Sequence, residues 1–126
     1  MRICDISTGL QHVGIPTNDI AKTIAFYEAL GFRIVHRKDN RGEDVAFLKM
    51  GDLVLETYQN HKAVGISGAI DHIALNVTDV EEARRIADGL KLDVIEEGQL
   101  PFWENGVRYF TVLGPNGEKV EFNQYL

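Results

Sequence analysis

Two histidines and two glutamates stand at matching places in a chain that repeats itself. His12 and His72 lie 60 residues apart, as do the stretches around them. LQHVGIPTNDIAKTIAFYEAL runs from Leu10 to Leu30, and IDHIALNVTDVEEARRIADGL from Ile70 to Leu90. Asp19 falls on Asp79, Ile20 on Val80 and Leu30 on Leu90. The copies continue more loosely through FLKMGDLVLETYQ and FTVLGPNGEKVEFNQY. There Phe47 falls on Phe110, Gly51 on Gly114 and, after a two-residue insertion, Glu56 on Glu121. Each copy carries one His and one Glu among apolar neighbours. A carboxylate facing a sheet interior is costly unless it is paired, protonated or bound to a metal. Two nitrogens and two carboxylates suit a divalent transition ion such as Ni, Zn, Co or Mn. Four such ligands leave room for water or substrate, as a catalytic metal requires. The same residues also fit the wet face of a half-exposed sheet. Their symmetric recurrence favours convergence on one site.

The elements that must position them follow from periodicity. Leu10 to Ile15 reads as a strand with Val13 and Ile15 on one face and His12 and Gly14 on the other. Pro16 is expected to stop it. Asn18 or Asp19 caps a helix whose apolar stripe is Ile20, Ile24 and Tyr27, with Gly31 as its stop. Strands are expected at Phe32 to Arg37, Val45 to Met50 and Leu53 to Tyr58, with turns at Lys38 to Asp44 and at Gly51-Asp52. Residues 1 to 8 read as a lead-in strand or loose arm, and His61 to Gly68 as the linker. The second copy repeats the order. Asp79 with Glu82 resembles a capping box. Val80, Ala83, Ala87 and Leu90 form the helix stripe, and Leu92 to Glu96 the next strand. A loop from Gln99 to Gly106 carries the only Trp. Strands follow on either side of Pro115-Asn116-Gly117. The fold class is therefore α+β. Two tandem βαβββ modules, about 8–60 and 69–126 with a linker at 61–68, would form one domain. A curved mixed sheet would surround a concave site, with the helices outside.

Composition bounds the function. The chain has 126 residues, 44% hydrophobic and 25% charged, ordinary for a globular protein. A net charge of −6 disfavours nucleic acid and anionic membrane as partners. No apolar run approaches the ~18 residues of a membrane-spanning helix. The stretch MRICDIST lacks the apolar core of a secretion signal. Cys4 is the only cysteine, so no intrachain disulfide forms. A cytoplasmic protein is the expectation.

The paired modules, the opening HVGIPTNDIAKTIAFYEALGF and the ending GVRYFTVLGPNGEKVEF resemble the vicinal oxygen chelate superfamily over Leu10 to Tyr125. That superfamily includes glyoxalase I, methylmalonyl-CoA epimerase, fosfomycin-resistance proteins, extradiol dioxygenases and bleomycin-binding proteins. The resemblance is greatest to bacterial glyoxalase I. It implies His12, Glu56, His72 and Glu121 as metal ligands and proton transfer next to a carbonyl by Glu121 or Glu56, with a hemithioacetal or related hydroxy-carbonyl as substrate. It also implies a homodimer. An epimerase, a fosfomycin-resistance-type enzyme or a non-catalytic small-molecule-binding protein of the same fold are the alternatives. Candidates for the pocket wall are Phe47, Met50, Tyr58, Phe102, Trp103 and Tyr109. Asn60 matches a glutathione-contacting asparagine of glyoxalase I. The family's glutathione-binding arginine is replaced by Pro16, leaving Arg37, Lys38 or Arg108 as substitute cations.

Overall fold

A computed structural model describes residues 2–126. The chain forms two compact units that divide between Ala63 and Val64. In the first, a 3₁₀ turn at Ile3–Asp5 precedes β1 (Val13–Thr17), α1 (Ile20–Ala29), β2 (Arg33–Asn40), β3 (Glu43–Met50) and β4 (Leu53–Gln59). The second contains β5 (His72–Asn76), α2 (Val80–Gly89), β6 (Asp93–Leu100), β7 (Val107–Leu113) and β8 (Lys119–Tyr125). Each unit is a four-stranded mixed sheet, ordered β1-β4-β3-β2 and β5-β8-β7-β6. The first and last strands of each module pair in parallel, while the other pairings are antiparallel. The α+β class and the two βαβββ modules are as expected.

One helix packs against one face of each sheet, and this sets which way every strand residue points. Leu55 and Leu48 are fully buried beneath α1, whose Ile20, Ile24 and Tyr27 are buried in turn. In the second unit Val112, Val120 and Phe122 take this role, beneath Val80 and Ala87. Burying one such large apolar side chain contributes about 1.5–3 kcal/mol. Leu90, expected in the inner stripe of α2, is instead 42% exposed. Asp19 and Asp79 are the N-caps, their carboxylates accepting from the backbone N–H of Lys22 and Glu82. For Asp79 this is the forward half of the expected capping box. A Gln side chain three residues after each repeated Glu adds a second cap in each unit. Gln59 accepts from Ile20 N–H and Gln124 from Val80 N–H, both at 2.8 Å.

Pairing across strands corrects several local expectations. Pro16 does not end β1. It lies within the strand, opposite Tyr58, because β1 is an edge strand where a missing N–H breaks no ladder. β1 begins at Val13, so His12 sits just before it. The polar run Lys38 to Asp44 is mostly strand: Asn40 pairs with Glu43, and only Arg41 and Gly42 turn, both with positive φ. Its charges fit the exposed edge strand β2. Likewise β6 runs on to Leu100, shortening the expected loop. Residues 3–5 form a helical turn rather than a strand.

The helix ends invite a stability test. Gly31 follows α1 at φ 105°, and Lys91 follows α2 at the equivalent place with φ 59°. Each donates its N–H to the carbonyl three residues back, at 3.0 Å. A side chain in this left-handed region costs roughly 1–2 kcal/mol, part of which glycine returns as unfolded-chain entropy. Lys91→Gly is therefore expected to stabilise the fold by about 0.5 kcal/mol. Urea unfolding checks this, and a lower midpoint with unchanged slope would contradict it.

Candidate metal and catalytic site

Glu56 lies between buried Leu55 and Thr57, so its side chain leaves the sheet on the face opposite α1. Glu121, between buried Val120 and Phe122, does the same in the second unit. The parallel pairing sets Gly14 beside Glu56 and Ala74 beside Glu121. Each histidine, two residues earlier in its chain segment, then reaches its own glutamate. His12 Nε2 is 3.5 Å from Glu56 Oε1, and His72 Nε2 is 3.8 Å from Glu121 Oε1. No three His, Cys, Asp or Glu side chains gather as a metal-holding group within either unit among the described residues. Each unit thus offers one imidazole and one carboxylate.

The other ring nitrogen is also engaged in both units. Gln11 Oε1 is 2.9 Å from His12 Nδ1, and Asp71 Oδ2 is 3.0 Å from His72 Nδ1. Such partners orient a ring and turn its Nε2 toward the glutamate. Lys119 binds Asp71 Oδ1 at 2.9 Å. Lys119 foremost, then His72, holds the Asp71 carboxyl below the usual carboxylate range. The two carboxylates of the pairs differ in restraint. Asn123 Nδ2 donates to Glu121 Oε2 at 3.0 Å, and the Glu121 side chain is 14% exposed against 28% for Glu56. Gln11, Asp71 and Asn123 were missed in the sequence. The available signal was a hydrogen-bond acceptor immediately before each repeated His.

The expected pocket residues separate by face. Phe47 stands opposite Glu56 and meets His12 edge-on, with ring centroids 5.7 Å apart. Tyr58 lies on the same face, where Gly14 leaves space: a Cβ there would be 3.5 Å from the Tyr58 ring and 3.9 Å from Glu56 Oε1. In the second unit Thr111, not Phe110, is opposite Glu121. The bulges at matching places in β2 and β6 pair His36 with Phe47 and Glu96 with Thr111. Phe47 therefore corresponds to Thr111, a correction of one residue to the repeat. Phe110 turns to the helix side and stacks on Phe122 at 4.7 Å. Tyr109 shares the face of Glu121, and its hydroxyl donates to Glu96. That bond first, then burial and the charges of Glu96 and Glu121, raise its pKa above the usual phenol range.

The remaining candidates lie elsewhere. Met50 reaches Gly31 at the end of α1, on the helix side of β3. Arg108 is also on the helix side, bound to Glu81 at 3.0 Å. Arg37 is held by Asp44 through two hydrogen bonds. Asn60 accepts from Lys62 N–H and closes the turn after β4. Trp103 sits in the 101–106 loop, 74% exposed, edge-on to Tyr125 at 5.8 Å. Phe102 in the same loop is exposed. Among the described residues no helix is long and apolar enough to cross a membrane.

Comparison with known proteins agrees with this architecture. YwbC, an uncharacterized protein of Bacillus subtilis (strain 168), is 33% identical over 122 residues, covering 91% of this chain and 96% of that protein. The fold is shared with a lactoylglutathione lyase from Agrobacterium tumefaciens (TM-score 0.70, 18% identity, 94% of each chain covered). It is also shared with a mutant of the fosfomycin resistance protein FosX from Listeria monocytogenes, solved with Mn(II) and 1S,2S-dihydroxypropylphosphonic acid. That likeness has a TM-score of 0.74 at 17% identity and covers 92% of this chain and 89% of the other. Residues 9–122 match the family model, and the chain belongs to the Glyoxalase/Bleomycin resistance protein/Dioxygenase superfamily.

Proposed function

We propose that this chain is a metal-dependent lyase or isomerase of the glyoxalase I type, with His12, Glu56, His72 and Glu121 holding one divalent transition metal. The observation that carries the reading is the repeated pair: in each unit an imidazole Nε2 faces a carboxylate oxygen while Nδ1 is engaged. Two neutral nitrogens and two carboxylates fit Ni, Zn, Co or Mn. A metal so held supplies Lewis acidity toward neighbouring oxygens of a substrate. The chain's own residues do the rest. Glu121 or Glu56 takes a proton from a carbon next to a carbonyl and returns it to the adjacent carbon. For a hemithioacetal the hydroxyl proton passes to the former carbonyl oxygen, so the product is a 2-hydroxy thioester and no oxidant is needed. Asn123 aims the Glu121 carboxylate. Phe47 and Tyr58 flank Glu56 on the same face and would wall the substrate there.

The thiol is a separate matter. Pro16 stands where glyoxalase I has its glutathione-binding arginine, and Arg37 and Arg108 are each already paired with a carboxylate. We therefore propose the substrate class as a hemithioacetal or related hydroxy-carbonyl, with no commitment to glutathione. A homodimer is part of this reading. Elemental mass spectrometry of fresh protein tests the metal. About one transition ion per four-ligand site is expected in the wild type, with loss in His12→Ala. No uptake by wild type after incubation with Ni, Zn, Co and Mn would overturn the reading and turn attention to a binding protein.

A further inference from the structure

The two His–Glu pairs differ in what stands behind the histidine. Behind His12 is Gln11, a neutral amide 2.9 Å from Nδ1. An amide can present oxygen or NH₂ to the ring, so it accommodates either tautomer. Behind His72 is the carboxylate of Asp71, 3.0 Å from Nδ1, which can only accept. Asp71 is itself held: Lys119 Nζ binds its other oxygen at 2.9 Å, with Ser67 Oγ at 3.5 Å. The β5–β8 register places Lys119 directly opposite His72, so the clamp is built into the sheet. No such cation is found on Gln11 among the described residues.

We propose that Asp71 is a positioning residue: clamped by Lys119, it fixes His72 with Nδ1 protonated and Nε2 bare, making the His72–Glu121 pair the tighter half of the metal site. The second part rests on the function proposed above; the first does not. A fixed tautomer removes the need to move a proton around the ring before Nε2 can donate its lone pair. The carboxylate also makes that nitrogen a stronger donor, as outer partners of metal-bound histidines do. Asp71 touches neither substrate nor metal in this role.

Two measurements on Asp71→Asn test it. The first is nitrogen-15 NMR of the imidazoles in metal-free full-length protein. Read at a pH where the ring is neutral, the wild type is expected to show His72 as the single Nδ1–H tautomer, because Asp71 at 3.0 Å holds the one ring proton better than Glu121 at 3.8 Å, and Asp71→Asn a mixture. The second is Zn affinity by competition with a chromophoric chelator. Asp71→Asn should lower it about 10–100-fold, Lys119→Gln less, and Gln11→Ala least. Asp71 is exposed, so an amide NMR spectrum like that of wild type is expected to show the fold intact. An unchanged His72 tautomer in Asp71→Asn overturns the proposal whether or not metal binds. So does an unchanged Zn affinity, or a greater loss in Gln11→Ala. If the wild type takes no metal yet its His72 tautomer depends on Asp71, the positioning role stands and the metal reading fails.

Discussion

Glu121→Gln is expected to lower turnover of a thiol-plus-methylglyoxal mixture by about 10²–10⁴-fold, the usual contribution of a positioned general acid–base. Gln nearly preserves the volume and can still be aimed by Asn123, whose amide donates to Glu121 Oε2 at 3.0 Å. What it loses is the ability to take a carbon-bound proton, together with the negative charge that balances a divalent cation. The loss should therefore persist when the variant is saturated with metal. A defect that vanishes at high metal would place Glu121 among the ligands only and move the proton-transfer role to Glu56. Steady-state rates across a Ni and Zn titration, read beside bound metal per chain, separate these outcomes. Retention of wild-type rate at low metal would remove Glu121 from the mechanism.

Gly117→Ala should be the most damaging small substitution in the second unit, with a loss of about 3 kcal/mol. Gly117 has φ 78°, and an added Cβ would lie 1.9 Å from the Gly65 carbonyl oxygen. The obstacle is backbone, which cannot swing aside as a side chain can. The left-handed φ costs roughly 1–2 kcal/mol and the overpacking about 1–3 kcal/mol more. The expected fall in Tm is on the order of 10 °C for a domain this size. Gly42 is the control. It has φ 92°, but nothing lies within 4 Å of its would-be Cβ, so Gly42→Ala should lose only the conformational part. Equal losses at the two positions in urea unfolding would show that the contact with Gly65 is relaxed without cost.

Much of the fold could be read locally. Asp19 and Asp79 both cap their helices through the backbone N–H three residues on. The stripe Ile20, Ile24 and Tyr27 is buried as its spacing implies. These features depend on residues within one or two turns of each other. The repeat then carries the information across the chain, because two segments with the same pattern fold to the same module. It is why His12 and His72 could be singled out together, each beside a glutamate more than 40 residues away in the chain.

Strand pairing was beyond local reading, and the differences follow from it. Phe47 and Phe110 look equivalent in the sequence, yet a one-residue change of register turns Phe110 to the opposite face and puts Thr111 against Glu121. Met50 and Arg108 are as apolar or as charged as a pocket residue should be, but strand parity sends both to the helix side. Pro16 is tolerated only because β1 lies at an edge. The Asp71–Lys119 clamp joins residues 48 apart that no spacing rule connects. By itself the sequence determined the repeat, the helices and the residue types available for chemistry, since these rest on short-range geometry. The tertiary structure alone decided which side chains share a face and which polar partners hold them, since those depend on the register between strands distant in the chain.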